Sequence, residues 1–393
     1  MSNPFAFYGT FLETKLIIKE FYKMKISKVE AKNLVINSQL LTKINTLTPL
    51  EIIKHLGYVQ IDTISVVERA HHHVLWTRNH SYVKDDLAML LKKRKVIEYW
   101  SHAAAYLPMN NYRFCLPKMY EYRAGKSHFR STDKKMIRYV LDRIKAEGPL
   151  MSKDFKSESK NSGWYDWKPA KRALEHLFMD GRLMVSERRG FQKVYDLAEN
   201  ILPNNLNVSM PTDFEYCEHV IKSQLKALSL AKVSEISYNK DGECKKIILK
   251  TINQMLEDNK LIEIDVSGQS YLALRGLKTQ PLKIKNDLHI LSPFDNFIIQ
   301  RKRLTDLFDF NYQIECYVPE QKRKYGYFTH PVLYGDKLIG RIDLKAHRDI
   351  KELKVINYFS EEAKLTDLQK NKLNKKLQLF AEFNSCRFTK PTD

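Results

Sequence analysis

A chain of 393 residues is long enough for two or three domains at about 150 residues each. With 43% hydrophobic and 11% aromatic residues, and only 13 glycines and 13 prolines, it excludes a disordered chain, a collagen-like repeat and a linker-rich architecture. Lys and Arg number 66 against 46 Asp and Glu, and the net charge of +20 points to a polyanionic partner, nucleic acid first.

The five cysteines, at positions 115, 217, 244, 316 and 386, are widely spaced and include no Cys-x-x-Cys pair. Neither a zinc cluster nor a disulfide framework is expected, and the expected compartment is the reducing cytoplasm. No run reaches the roughly 18 apolar residues of a membrane span. Glu13, Lys15, Lys19 and Glu20 break up the first apolar residues, which argues against a signal peptide.

In chain order, residues 1–26 read as an aromatic-rich arm without a clear period, or as a stretch ahead of a start at Met24. Ser27 with Glu30 predicts a capping box, followed by Ala31, Leu34, Val35, Ser38 and Leu41 at helical spacing. Thr48-Pro49 opens a second helix that Gly57 closes, and Tyr58 to Ile64 then reads as a strand.

Residues 131–198 give the clearest unit. Met136, Ile137, Val140, Leu141 and Ile144 stripe one helix up to Gly148-Pro149. A short helix follows at Lys153-Asp154-Phe155, and Pro169 opens a third that ends at Asp180-Gly181. Leu183 to Leu197 then reads as a hairpin through Arg188-Arg189-Gly190. Three helices and a basic hairpin predict a winged helix. The pattern recurs at 213–274, and the first 100 residues allow a divergent copy.

From about 281 strands dominate. Lys337 to His347 alternates apolar with mostly basic residues, pairs with a strand near Tyr325–Leu333 through a Gly335-Asp336 turn, and precedes a closing helix at 364–383. The expected fold is α+β: tandem winged-helix (helix-turn-helix) domains, then a C-terminal β-rich domain and a closing helix. Its parts are an arm (1–26), a divergent winged helix (27–130), two further winged helices (131–210 and 211–280) and the β-rich domain (281–393).

Within Tyr58-Val-Gln-Ile-Asp-Thr-Ile64, Gln60 and Asp62 share one strand face at a spacing of about 7 Å. A carboxylate and an amide so placed can hold a water between them for hydrolysis through a cationic transition state. Taken alone, such a triplet is most often just a solvated strand face. His71, His72 and His73, read as part of a strand, point to alternate sides and lack nearby carboxylates, so scaffold or phosphate contact is favoured over metal binding. Trp76, Trp100 and Tyr106 are assigned to the core. Lys168, Lys171 and Arg172 on the third helix of the second unit, with Arg188, Arg189 and Lys193 on its wing, form the best-placed basic group for phosphate contact.

Longer motifs frame the triplet: Val66-Val-Glu-Arg-Ala-His-His-His73, Trp76-Thr-Arg78, Tyr99-Trp-Ser-His-Ala-Ala-Ala-Tyr-Leu-Pro-Met109, Leu291-Ser-Pro-Phe-Asp-Asn296, Tyr317-Val-Pro-Glu-Gln-Lys-Arg-Lys-Tyr-Gly-Tyr327 and Gly335 to Arg348. Together, over roughly residues 25–390, they resemble the tandem winged-helix DNA glycosylases of the AlkZ/YcaQ type. That family excises N7-alkylated guanines and unhooks interstrand crosslinks. Its motif of Gln, an aliphatic residue and Gln or Asp corresponds here to the Gln-aliphatic-Asp form of the YcaQ-like branch. The resemblance implies catalysis by Gln60 and Asp62 on alkylated or crosslinked double-stranded DNA by a single chain, without metal or cofactor, through an open site rather than full base flipping. It also favours a DNA-probing C-terminal hairpin, with His330, Arg341, Lys345 and His347 as candidate contacts. The competing classes are a non-catalytic winged-helix regulator and a charge-recruited peripheral membrane protein. The latter lacks the amphipathic helix it would need.

Overall fold

The computed structural model describes residues 24–42, 44–125, 133–155, 167–278 and 284–389, with the side chains of Trp167 and Lys168 outside that description. The chain is a mixed α+β protein. Helix Lys28–Ser38 starts where the sequence places it: the Ser27 hydroxyl accepts from the Glu30 backbone N–H, and the Glu30 carboxylate accepts from the Ser27 backbone N–H. Helix Pro49–Leu56 carries proline in its first turn and ends at Gly57 in the left-handed region, φ +81°.

Three stretches then follow one connectivity of helix, short strand, two helices and hairpin. The first comprises Pro49–Leu56, Val59–Gln60, Ala70–Arg78, Lys84–Lys92 and the pair Val96–Trp100/Ala104–Pro108. The second runs Lys134–Glu147, Leu150–Met151, Ser152–Phe155, Trp167–Met179 and Leu183–Arg189/Gln192–Leu197. The third runs Asp213–Leu228, Leu230–Ala231, Val233–Ile236, Gly242–Glu257 and Leu261–Val266/Gln269–Leu274. In each, the short strand pairs antiparallel with the second hairpin strand. Strand Met24–Ile26 joins the third sheet by parallel pairing with Leu261–Val266.

The C-terminal part is a five-stranded sheet in the order Leu288–Ile290, Thr329–Tyr334, Lys337–His347, Glu352–Ser360, Arg387–Phe388, with helices Arg301–Phe308 and Asp367–Phe383. The largest apolar cluster joins the first two repeats to this sheet and its closing helix, through residues such as Val59, Leu75, Tyr99, Leu174, Ile342 and Phe380. A second packs Leu34, Val35 and Leu41 against Leu230, Ile264, Phe297 and Leu304.

Three readings of local structure change. The strand expected over Tyr58–Ile64 is regular only at Val59–Gln60, plus one further bond from Ile61 N–H to the Ala104 carbonyl at 2.8 Å. The three histidines lie on helix Ala70–Arg78, not on a strand. Strand Lys337–His347 is buried on both sides from Leu338 to Leu344, so its expected solvated basic face is largely internal.

Candidate active site

Gly57 is the hinge that delivers the candidate strand. It turns the chain out of helix Pro49–Leu56, and a Cβ there would stand 2.4 Å from Ser223 Oγ on helix Asp213–Leu228, so the first and third repeats meet at this glycine. Asn296 supports the next residue, its Nδ2 donating to the Tyr58 carbonyl at 3.1 Å. Val59 and Gln60 pair with Tyr106 and Ala105. The turn of that same hairpin carries His102, whose Nε2–H donates to Gln60 Oε1 at 2.9 Å. Burial, reinforced by the charge of Lys240, pushes the His102 pKa down to about 4, so the ring is neutral near pH 7 and holds the Nε2-protonated tautomer. With Oε1 of the buried Gln60 engaged, its amide N–H groups are left to orient a small molecule.

Asp62 follows the end of the regular strand and is half-buried. Its Oδ1 accepts from the Ile64 N–H at 2.7 Å. Burial raises its pKa above the ordinary aspartate value, and the Ile64 N–H offsets part of that rise. The stretch beyond it is held from the C-terminal sheet: Ala346 N–H bonds the Val66 carbonyl at 3.0 Å, and the Arg348 guanidinium reaches the Ser65 and Val67 carbonyls. Behind it, buried Arg78 and Asp295 form a bidentate pair at 2.8 and 2.9 Å that fixes helix Ala70–Arg78 to the Leu291–Asn296 segment.

A cleft of about 490 Å³ opens beside this strand, lined among others by Tyr58, Trp100, His102, Tyr216, Tyr238 and Lys240. Gln60 and Asp62 do not line it; Gln60 connects to it through its bond with His102. Trp100, assigned to the core from sequence, is 40% exposed on this wall, whereas Trp76 and Tyr106 are buried. It stands at the end of its strand, beside the His102 turn, where the ladder no longer covers its ring.

The basic candidates divide sharply. Lys168 lies outside the described side chains. Lys171 and Arg172 are exposed on helix Trp167–Met179. Arg189 is exposed and paired to Glu187. Arg188 and Lys193 correct the reading as free phosphate contacts: Arg188 makes a bidentate bond to the fully buried Glu98 at 2.8 and 2.7 Å, and Lys193 sits between Glu98 and Glu175 at 3.7 and 3.2 Å. A carboxylate inside the protein requires such partners, and they join the second hairpin to the first.

His330 and Arg341 are likewise withdrawn from the surface. His330 is buried between His73 and Phe328, and Arg341 packs against Phe310 and Tyr325 while pairing with Glu361. Lys345 is exposed and His347 half-buried. On their helix, His71 and His73 are buried, and burial lowers the pKa of all three histidines. Among the described residues no three His, Cys, Asp or Glu side chains converge as metal ligands. The sequence reading missed His102 and Glu98. Each acts on a residue 42 or 90 positions away, and only the tertiary fold brings the two together.

Residues 53–383 match the family described as "DNA glycosylase AlkZ-like". Among solved structures, the chain resembles the Streptomyces sahachiroi DNA glycosylase AlkZ with a TM-score of 0.64 and 17% identity. The match covers 93% of this chain and 100% of that one. At that identity the likeness speaks for the fold, while the family match spans most of the sequence and includes Gln60, Asp62, the adjoining hairpin and most of the C-terminal sheet. The chain belongs to the AlkZ-like DNA glycosylase family.

Proposed function

We propose that this protein is a monofunctional DNA glycosylase that hydrolyses the N-glycosidic bond of N7-alkylguanine, bulky adducts and interstrand crosslinks included, with Gln60 and Asp62 as its catalytic pair. The observation that carries the reading is the His102–Gln60 bond, two residues before the half-buried Asp62, in a segment that the family match includes. Alkylation at N7 makes guanine cationic, so rupture of the C1′–N9 bond returns its electron pair to a good leaving group. The sugar left behind is oxocarbenium-like, as in glycoside hydrolysis. The Asp62 carboxylate lies against that charge and takes a proton from the attacking water. The Gln60 amide, fixed by His102, positions the water oxygen toward C1′.

The three repeats are read here as winged helices at 27–130, 131–210 and 211–280, ahead of a β-rich domain at 281–393, with one chain straddling the duplex. Their shared connectivity supports this reading. Lys171, Arg172, Arg189, Lys345 and His347 remain the proposed phosphate contacts. Among the described residues no helix is long and apolar enough to cross a membrane, and all five cysteines are free; the cytoplasm is the proposed site of action.

The test is an end-labelled duplex carrying a single N7-methylguanine, incubated with wild-type protein and with Asp62→Asn and then treated with alkali. Breakage by the wild type that the variant loses, with duplex binding retained, is the expected result, and crosslinked duplex is the next substrate. Intact strands of both substrates at saturating binding would leave a DNA-binding regulator.

A further inference from the structure

Residues Glu315 to Tyr327 form a long connection whose only regular piece is the short turn Glu320–Lys322. Its root is nevertheless fastened. The buried Glu315 carboxylate accepts from three backbone N–H groups, those of Lys324 at 3.0 Å, Tyr325 at 2.8 Å and Gly326 at 3.1 Å. Burial by itself would raise the Glu315 pKa, but these bonds and the charge of Arg341 outweigh it and hold the group below its ordinary value. Arg323 Nε closes the loop onto the Val318 carbonyl at 2.9 Å. Arg341 supports it from beneath, 4.1 Å from the Tyr325 ring centre. Gly326, at φ +124°, lies so close to the sheet that a Cβ would stand 2.2 Å from Asp343 Oδ2.

The fastened loop adjoins Asp62. Ile314 and Cys316 pack with Ile64 and Val66 around Ala70, Phe294 and Phe328. Burial and then the nearby Asp62 raise the pKa of Cys316, while burial, then Cys316 and then Asp62 raise that of Tyr317. Tyr317 itself is 79% exposed, more than any other exposed large hydrophobic side chain among the described residues. Tyr327, Lys322 and Lys324 are exposed on the same loop. A rigid loop that keeps an aromatic ring in water among lysines has the two features that bind unstacked bases on a charged backbone.

We propose that this loop is the base-contacting element of the protein: Tyr317 stacks on a nucleobase exposed at the lesion, while Lys322 and Lys324 take the flanking phosphates. The lesion belongs to the glycosylase reading above; stacking itself requires no chemistry. A ring supplied by the protein replaces base stacking lost when a damaged nucleotide is displaced only partway, as a tethered guanine must be.

The experiment uses full-length protein and a duplex with one N7-methylguanine next to a 2-aminopurine. Tyr317→Ala is expected to slow single-turnover excision roughly ten-fold or more, within the range that base–aromatic stacking spans. It should also abolish the 2-aminopurine fluorescence change on binding, while Tyr317→Phe keeps both. The thermal midpoint of Tyr317→Ala stays at the wild-type value because the ring is exposed. Replacing Lys322 and Lys324 by alanine together reduces the salt slope of binding by roughly two units. Wild-type excision and fluorescence response in Tyr317→Ala would overturn the proposal, as would a phenylalanine variant as impaired as alanine. Wild-type protein that binds but releases no base would instead overturn the glycosylase reading, with the fluorescence comparison still deciding the stacking.

Discussion

The half-buried position of Asp62 sets the sign of its pH dependence. Its pKa is raised in the folded protein, and the proposed chemistry needs the ionised form. Excision should therefore be flat near neutral pH and fall as pH drops through a value above that of a free aspartate, about 3.9. A single-turnover profile with its acid limb at or below that value would remove Asp62 from the role. Stability moves the other way: a folded pKa above the unfolded one means that ionised Asp62 opposes folding at neutral pH. Asp62→Asn should keep or raise the melting temperature while losing activity, whereas a lowered melting temperature would mark Asp62 as structural. His102 contributes direction, not charge, since it is neutral near pH 7. His102→Ala should lower kcat by up to about 100-fold with little change in DNA affinity. His102→Gln, whose amide reaches as far as Nε2, should recover part of the loss; equal loss in both variants would make the ring a packing element.

Among the elements, the contact between two hairpins is held by charge. Arg188 and Lys193 from the second neutralise Glu98 on the first. Removing Arg188 leaves a buried carboxylate with only the more distant Lys193, a loss of about 3 kcal/mol in urea unfolding. The salt slope of DNA binding should not move, and a slope reduced by one unit at unchanged stability would return Arg188 to the DNA interface. This joint was invisible in the sequence, where Arg188-Arg189-Gly190 has the composition of a DNA-facing wing. Helix ends were legible because their signals are local: Ser27 with Glu30, Pro49 in a first turn, and Gly57 and Gly148 as stops. The histidine run misled because its periodicity is ambiguous: His71 and His73 are buried among rings from distant elements, which no local pattern encodes. Gln60 and Asp62 were nominated from strand alternation, but their differing burial, and the His102 that orients one of them, came only from the tertiary fold.

For the whole molecule, one apolar cluster joins the candidate strand to the C-terminal helix Asp367–Phe383. Phe380 is fully buried, with its ring centre 4.3 Å from that of His73 and 5.0 Å from that of Trp76. Phe380→Ala should destabilise the protein by about 3–5 kcal/mol. Spectroscopic probes on the first repeat and on the C-terminal sheet should then shift together, whereas separate transitions would show that the two parts unfold independently. On the outer surface, Arg172→Ala is expected to reduce the salt slope of duplex binding by roughly one unit without affecting the melting temperature. The packing of helix Lys28–Ser38 also sets a schedule for synthesis. The Ser38 hydroxyl bonds the Lys226 carbonyl, 188 positions further on, and the helix buries Leu34 and Val35 against elements from residue 230 onward. At ribosomal speeds of 5–20 residues per second, that apolar face waits roughly 10–40 s for its cover. Until then this helix is a stretch of nascent chain with an uncovered apolar face, the kind that a chaperone shelters.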